Sequence, residues 1–166
     1  MKNIVLIGMP GCGKTTVGNL LAKKLNLDFI DCDALIEKSE GTSIPQIFDS
    51  FGEQYFRDLE SSTLNSLADK SDSVISTGGG IIERPQNIET LKKCGTVIFL
   101  NRPLKFLLKD IDISERPLLK NGKDALEELY KRRFDLYKAA CHIEIKNDTT
   151  IDDVISKIIN EVKIYG

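Results

Sequence analysis

Residues 8–15 read GMPGCGKT, and this stretch decides the fold of the chain. It follows the apolar run IVLI at 4–7 and precedes an amphipathic segment at 17–25. The stretch fits the pattern G-x-x-x-x-G-K-[ST] in the context that the pattern requires, a buried strand, a tight loop and a helix. Glycines let consecutive backbone N–H groups point into one anion-sized nest, and the helix adds its positive N-terminal end. The sequence therefore predicts a nucleoside triphosphate site.

Two side chains of this loop have predicted roles beyond the backbone. Lys14 can reach the β- and γ-phosphates, and the Thr15 hydroxyl can ligate Mg²⁺. A glycine-rich turn without a ligand is the alternative, and the agreement of loop, lysine, hydroxyl and flanking elements disfavours it. The residues expected to bind the nucleotide are Gly11, Cys12, Gly13, Lys14, Thr15 and Thr16.

Composition narrows the class of protein. The 166 residues, with 41% hydrophobic content, suit one domain spanning 1–166 with a substantial core. The net charge of -2 argues against a nucleic-acid partner, and no apolar run approaches the roughly 20 residues of a membrane span. The four cysteines have no C-x-x-C spacing, so we expect free thiols in a reducing cytoplasm. We also expect a monomer.

Five short apolar runs predict buried strands. Helix-like segments separate these runs, which indicates an α/β fold with a parallel sheet covered on both faces. Ligands of such sheets bind beyond the carboxyl ends of the strands, where the chemically interesting residues are expected. The predicted strands lie at 4–7, 29–31, 73–76, 97–100 and 142–145.

Two polar stretches follow predicted strands. Asp31 and Asp33 end the second run, and side chains two apart in a strand point the same way, which suits Mg²⁺ and substrate. Helix capping by Asp33 is an alternative that could coexist with function. Gly78, Gly79 and Gly80 follow the third strand, where a glycine backbone can approach a ligand closely. A flexible turn is the alternative there.

A helical pattern at 53–68 places one arginine at the edge of its apolar face. A shorter helical pattern precedes it, with Ser43 as its expected cap and Gly52 at its end. Arg57 could bind a substrate, or it could form a surface pair with Glu53, and spacing alone leaves the two interpretations even.

The helix predicted at 124–139 carries a second arginine of interest. Arg133 falls at the centre of the apolar face, whereas Arg132 falls with the charged residues. A buried arginine needs a carboxylate, supplied either by a substrate or by the protein. Glu60 is a candidate protein partner, so a structural ion pair stays open.

Residues 109–123 have little periodicity and contain many loop formers, with Arg116 in the middle. Such a segment predicts a mobile lid that closes over phosphates and excludes water. A solvated connector is the alternative.

Taken together, these pieces resemble the shikimate kinase family, small relatives of the nucleoside monophosphate kinases, over nearly the whole chain. The phosphate loop alone is generic, whereas the ordered set is specific. The motifs that carry the resemblance are GMPGCGKTT, FIDCD, GEQYFRDLE, STGGG, ERPLL and RFDLY.

The resemblance implies a three-layer α/β/α P-loop kinase fold with a five-stranded parallel sheet of order 2-3-1-4-5. It implies transfer of the ATP γ-phosphate to the 3-hydroxyl of shikimate, in aromatic amino acid biosynthesis. The acceptor would bind to a segment at about 31–62, and the lid would span about 109–123.

Residue roles also follow from the resemblance. Asp33 matches the aspartate that orients the acceptor hydroxyl, and Arg57 and Arg133 match the arginines that hold the shikimate carboxylate. Gly79, within 78–80, matches a substrate-contacting glycine, and Arg116 matches the lid arginine that reaches the phosphates. The implied Mg²⁺ ligands are Thr15 directly, with Asp31 and Ser76 acting through metal-bound water.

Two features depart from the family pattern. Lys109 stands where an arginine often packs on adenine, and lysine stacks less well. The loop near Asn147 lacks the usual arginine and proline beside the base. The lysine predicts weaker nucleotide affinity or base selectivity. Neither change touches the groups expected to bind phosphate or shikimate, so the reaction is expected to stay intact.

Two other functions compete with this interpretation. A kinase for another small polyol acid, such as gluconate, would use the same phosphate loop. A nucleotide-dependent switch that binds a protein partner would leave the acceptor residues without a purpose, and the chain lacks the N-K-x-D guanine-reading motif.

Overall fold

The computed structural model describes residues 2–110, 117–119 and 121–165. In this part of the chain, strands and helices alternate along most of the sequence. The strands are β1 (Asn3–Ile7), β2 (Asp28–Asp31), β3 (Ser73–Ser76), β4 (Gly95–Asn101) and β5 (Ile143–Lys146). The helices are α1 (Lys14–Leu25), α2 (Cys32–Glu40), α3 (Ile44–Ser66), α4 (Pro85–Cys94), α5 (Leu104–Asp110), α6 (Lys123–Ala140) and α7 (Ile151–Tyr165). Single 3₁₀ turns occur at Ile81–Glu83 and Pro117–Leu119.

The five strands form one parallel sheet in the order β2-β3-β1-β4-β5. All five residues of the central strand β1 are buried. Because neighbouring side chains of a strand point to opposite faces, both faces of the sheet are covered. The predicted P-loop kinase fold and its strand order are confirmed.

The strand boundaries extend slightly beyond the apolar runs. Strand β4 begins at Gly95 because this residue pairs with Asn3 of β1, which hydropathy does not reveal. His142 precedes β5 and exchanges hydrogen bonds with Val97, its Nδ1 accepting from the Val97 N–H at 2.9 Å. The strand predicted at 142–145 therefore begins one residue later.

The break predicted at Gly52 is present. This residue has φ 83° and ψ 173° and interrupts α3, so two helical segments meet there at an angle. Ser43 caps the first segment and forms a capping box with Gln46, as the serine at that place predicts.

Part of the predicted lid has regular structure. Lys109 and Asp110 belong to the last turn of α5, and Pro117–Leu119 forms the second 3₁₀ turn. Helical hydrogen bonding therefore extends further than the weak periodicity of 109–123 indicates. Arg116 lies outside the described residues, so its predicted role and the mobility of the lid stay predictions.

Two further observations concern the chain as a whole. Among the described helices, none combines the length and apolarity that crossing a bilayer requires. The four cysteines are free thiols, three of them buried.

Candidate active site

The phosphate loop joins β1 to α1 at the carboxyl edge of the sheet. Gly11 and Gly13 have φ of 76° and 95°, left-handed values that favour glycine, so the backbone can curl into the predicted nest. The Lys14 ammonium lies against the loop, where it donates hydrogen bonds to the carbonyls of Gly8 at 2.8 Å and Met9 at 3.0 Å. The loop therefore places a cation and a helix N-terminus at one concave site.

Asn147, which follows the edge strand β5, anchors this loop. Its buried side-chain amide donates to the Cys12 carbonyl at 2.8 Å. Because the C=O and N–H of a trans peptide point in opposite directions, this bond turns the Gly13 N–H away from Asn147. The sequence showed Asn147 only as a departure from the family pattern, and the structure gives it a supporting role in the loop.

A cavity of about 490 Å³ lies at the phosphate loop and contains the predicted metal-binding groups. The Thr15 hydroxyl donates to Asp31 Oδ2 at 2.8 Å, and Ser76 also lines the cavity. A hydroxyl beside a carboxylate suits Mg²⁺, which takes few protein ligands and keeps water and phosphate oxygens. The donor set fits this metal. The lining residues are Gly11, Gly13, Lys14, Thr15, Thr16, Asp31, Asp33, Ala34, Glu37, Ser76, Thr77 and Gly79.

Asp31 also caps α2. Its Oδ1 accepts hydrogen bonds from the backbone N–H groups of Asp33 at 3.0 Å and Ala34 at 3.2 Å. The capping role considered for Asp33 is therefore wrong. The strand ends at Asp31 and the helix begins at Cys32, so Asp33 lies in the first helical turn, two positions after the cap.

A second cavity of about 630 Å³ adjoins the first. It contains both predicted arginines, Arg57 and Arg133, together with apolar groups such as Phe48 and Phe56. Asp33 lines both cavities, so it lies where a ligand bound in one cavity would meet a ligand bound in the other. The residues common to the two cavities are Gly11, Asp33, Glu37 and Gly79.

Within the glycine stretch 78–80, neighbouring side chains leave no room for a Cβ at Gly78 or Gly80. A Cβ at Gly78 would lie 2.5 Å from Glu60 Oε1 and 2.9 Å from Asp33 Oδ1. A Cβ at Gly80 would overlap the Arg57 guanidinium. The close approach predicted for this stretch is thus to side chains of the site itself, and contact with a ligand stays a prediction.

Replacing Gly80 with alanine is expected to raise the KM for the acceptor at least about 10-fold, because Arg57 must move to make room for the methyl group. The KM for the nucleotide should change little. The measurement is steady-state kinetics with each substrate varied in turn.

Gly41→Ala is the matched control for that variant. Gly41 ends α2 with φ 66°, and apart from its chain neighbours no described residue has a heavy atom within 4 Å of the place where a Cβ would stand. The left-handed conformation costs alanine about 1–2 kcal/mol, so the melting temperature should fall while both KM values stay unchanged. An unchanged acceptor KM in Gly80→Ala would contradict the steric argument.

The two arginines are buried and ion-paired. Arg57 is 5% exposed and donates to Glu60 at 2.5 Å and to Glu53 at 3.1 Å. The predicted pair with Glu53 exists, but Arg57 is not on the surface. Arg133 is 1% exposed, which confirms its place at the centre of the apolar face. Burial raises the pKa of Glu60, and the positive charge of Arg57 offsets only part of that rise.

The partner of Arg133 is Glu83, a residue that the sequence did not single out. Arg133 Nε donates to Glu83 Oε1 at 2.8 Å, so the prediction that Glu60 is its protein partner is wrong. Glu83 lies in a single 3₁₀ turn, too short for any periodic pattern, and 50 residues before Arg133. Burial raises the pKa of Glu83, but Arg133 and Arg132 outweigh burial and hold it below the ordinary range, so Glu83 is ionised at neutral pH.

A phosphate loop at the carboxyl edge of a 2-3-1-4-5 sheet, beside a cavity with two buried arginines, defines a P-loop kinase for a small anionic acceptor. The family model for shikimate kinase matches residues 10–163. The chain belongs to the shikimate kinase family.

Individual relatives cover nearly the whole chain. A shikimate kinase from Clostridium botulinum (strain Eklund 17B / Type B) is 52% identical over 159 residues, which are 95% of this chain and 96% of the relative. The solved shikimate kinase from Acinetobacter baumannii in complex with shikimate is similar with a TM-score of 0.94 at 37% identity, covering 99% and 94% of the two chains. That from Aquifex aeolicus has a TM-score of 0.87 at 39% identity, covering 97% and 96%.

Proposed function

We propose that the protein transfers the γ-phosphate of ATP to the 3-hydroxyl of shikimate, giving shikimate 3-phosphate and ADP. Membership of the shikimate kinase family supports the reaction, and the structural relative bound to shikimate supports the acceptor. One observation carries the assignment of residues. Asp33 borders both the phosphate-loop cavity and the arginine-lined cavity, at the place where donor and acceptor would meet.

The phosphate loop would hold ATP with Mg²⁺. The backbone nest at 11–16 would bind the phosphates, and Lys14 would add positive charge to the transferring group. Thr15 would ligate the metal directly, and Asp31 would hold it through water. Bound there, Mg²⁺ supplies charge neutralisation for the phosphate oxygens. Arg116 would bring a further charge from the lid, whose closure would exclude water.

The second cavity would hold shikimate. Arg57 and Arg133 would bind its carboxylate, because a guanidinium makes strong charge-assisted hydrogen bonds to that group. Phe48 and Phe56 would pack against the ring, and the glycine backbone at 78–80 would lie along one edge. Asp33 would accept a hydrogen bond from the 3-hydroxyl, orient it towards the γ-phosphate and take its proton as transfer proceeds.

We also infer that the protein acts as a single-domain monomer in the cytoplasm. Residues of one chain line both cavities, so the proposed chemistry requires no second subunit.

Acceptor-dependent ADP release tests the proposed function. With ATP and Mg²⁺ present, ADP release is expected to rise sharply on adding shikimate and to stay near background with AMP and other nucleoside monophosphates. Quinate and gluconate complete the panel, because each carries a carboxylate and several hydroxyls. Equal stimulation by gluconate would assign the enzyme to another polyol acid, and equal stimulation by AMP would overturn the acceptor assignment altogether.

A further inference from the structure

We propose that Glu83 is the positioning residue of the acceptor site, holding Arg133 so that its terminal nitrogens face the shikimate carboxylate. This inference rests on the proposed function. Glu83 is not among the described residues that line either cavity, so it acts through the arginines rather than on the ligand.

The contact between Glu83 and Arg133 uses one edge of the guanidinium. Glu83 Oε1 accepts from Arg133 Nε at 2.8 Å. Arg133 Nη2 is buried, and it has no hydrogen-bond partner within the described ranges 2–110, 117–119 and 121–165. Because a guanidinium is planar and rigid, a bond at Nε fixes the direction of both terminal nitrogens. Arg133 therefore keeps, in Nη2, a buried donor at the cavity from which no described residue accepts a hydrogen bond.

Glu83 also lies between the positive charges of the site. Its Oε2 is 3.8 Å from Arg57 Nε, and its Oε1 accepts from Arg132 Nη2 at 2.7 Å. Two guanidiniums that converge on one ligand carboxylate repel each other, and a carboxylate behind them reduces that repulsion. Glu83 thus joins Arg57 of α3 to Arg133 of α6 before any acceptor binds.

A kinetic cycle on Glu83 and Arg133 tests the inference. Glu83→Ala is expected to raise the KM for shikimate about 10-fold and to leave kcat and the KM for ATP within about twofold, because it removes a charge-assisted contact behind the binding arginine. Glu83→Gln keeps the shape and one acceptor oxygen, so it should raise the same KM about threefold. In an Arg133→Ala background, Glu83→Ala should change the shikimate KM less than about twofold.

Asp58→Ala is the matched control. Asp58 pairs with Arg84, the neighbour of Glu83, at 2.7 Å, and it is 70% exposed and outside both cavities. Its removal should leave the shikimate KM within about twofold of wild type. A Glu83 effect that is equally large with and without Arg133 would overturn the inference, as would wild-type KM values in both Glu83 variants. If Glu83→Ala does not fold, the same cycle with Glu83→Gln decides the question by the same criteria.

Failure of this inference is distinguishable from failure of the proposed function. Wild-type protein that shows no shikimate-dependent ADP release would overturn both. Wild-type activity with shikimate, an impaired Arg133→Ala variant and unimpaired Glu83 variants would overturn the positioning role alone.

Discussion

Replacing Asp33 with asparagine is expected to lower kcat at least about 100-fold while the protein stays folded. The amide keeps the shape of the carboxylate but cannot accept a proton from the acceptor hydroxyl, and losses of a positioned general base are typically of this size or larger. Asp31 and not Asp33 caps α2, so helix stability should be preserved. The measurement is kcat with both substrates saturating, together with the melting temperature.

Lys14→Ala should lower kcat to a similar extent for a different reason. The Lys14 ammonium lies at the phosphate loop, where it would stabilise charge on the transferring group.

Glu40→Gln is the control for Asp33→Asn. Glu40 lies at the end of the same helix as Asp33, and its carboxylate accepts a hydrogen bond from the Tyr55 hydroxyl away from both cavities. A near-normal kcat in Asp33→Asn would show that the aspartate has no catalytic role.

Arg133→Ala is expected to raise the KM for shikimate about 10-fold to 150-fold, the range set by the loss of a charged hydrogen bond of about 1.5–3 kcal/mol. The KM for ATP should stay nearly unchanged. The neighbouring Arg132→Ala variant is the matched control, because Arg132 has the same chemistry and bonds the same carboxylate. Its side chain is 60% exposed, so its contribution should be about 0–1 kcal/mol at most.

Measuring both KM values and the melting temperature on both variants separates binding from stability. A purely structural ion pair with Glu83 predicts a lower melting temperature for Arg133→Ala and an unchanged shikimate KM in the folded fraction. Equal kinetic effects from Arg132 and Arg133 would contradict the distinction between the buried and exposed faces of α6.

The sequence predicts those parts of the site whose signal is local. The phosphate loop depends on the order of eight residues, and Asp31 and Asp33 follow a short apolar run directly. Arg133 is also predictable, because helical periodicity states which face of α6 is buried. Each of these inferences needs a window of about 20 residues or fewer.

What the sequence could not predict is which groups meet across the fold. Periodicity places Arg133 on a buried face, but it does not say whether Glu60 or Glu83 lies opposite. Asn147 bonds a carbonyl 135 residues away, and no local pattern predicts such a contact. The exact start of α2 depended on which aspartate accepted two backbone hydrogen bonds, and both candidates were suitable capping residues.

The wall that the two cavities share has a consequence for inhibitor design. A single molecule that joins a shikimate-like acid to a polyphosphate mimic could occupy both cavities past Asp33. Such a compound would lose its rigid-body freedom once rather than twice, so each half would bind at a high effective concentration set by the linker. The linker would have to run along the four residues that line both cavities, which are Gly11, Asp33, Glu37 and Gly79.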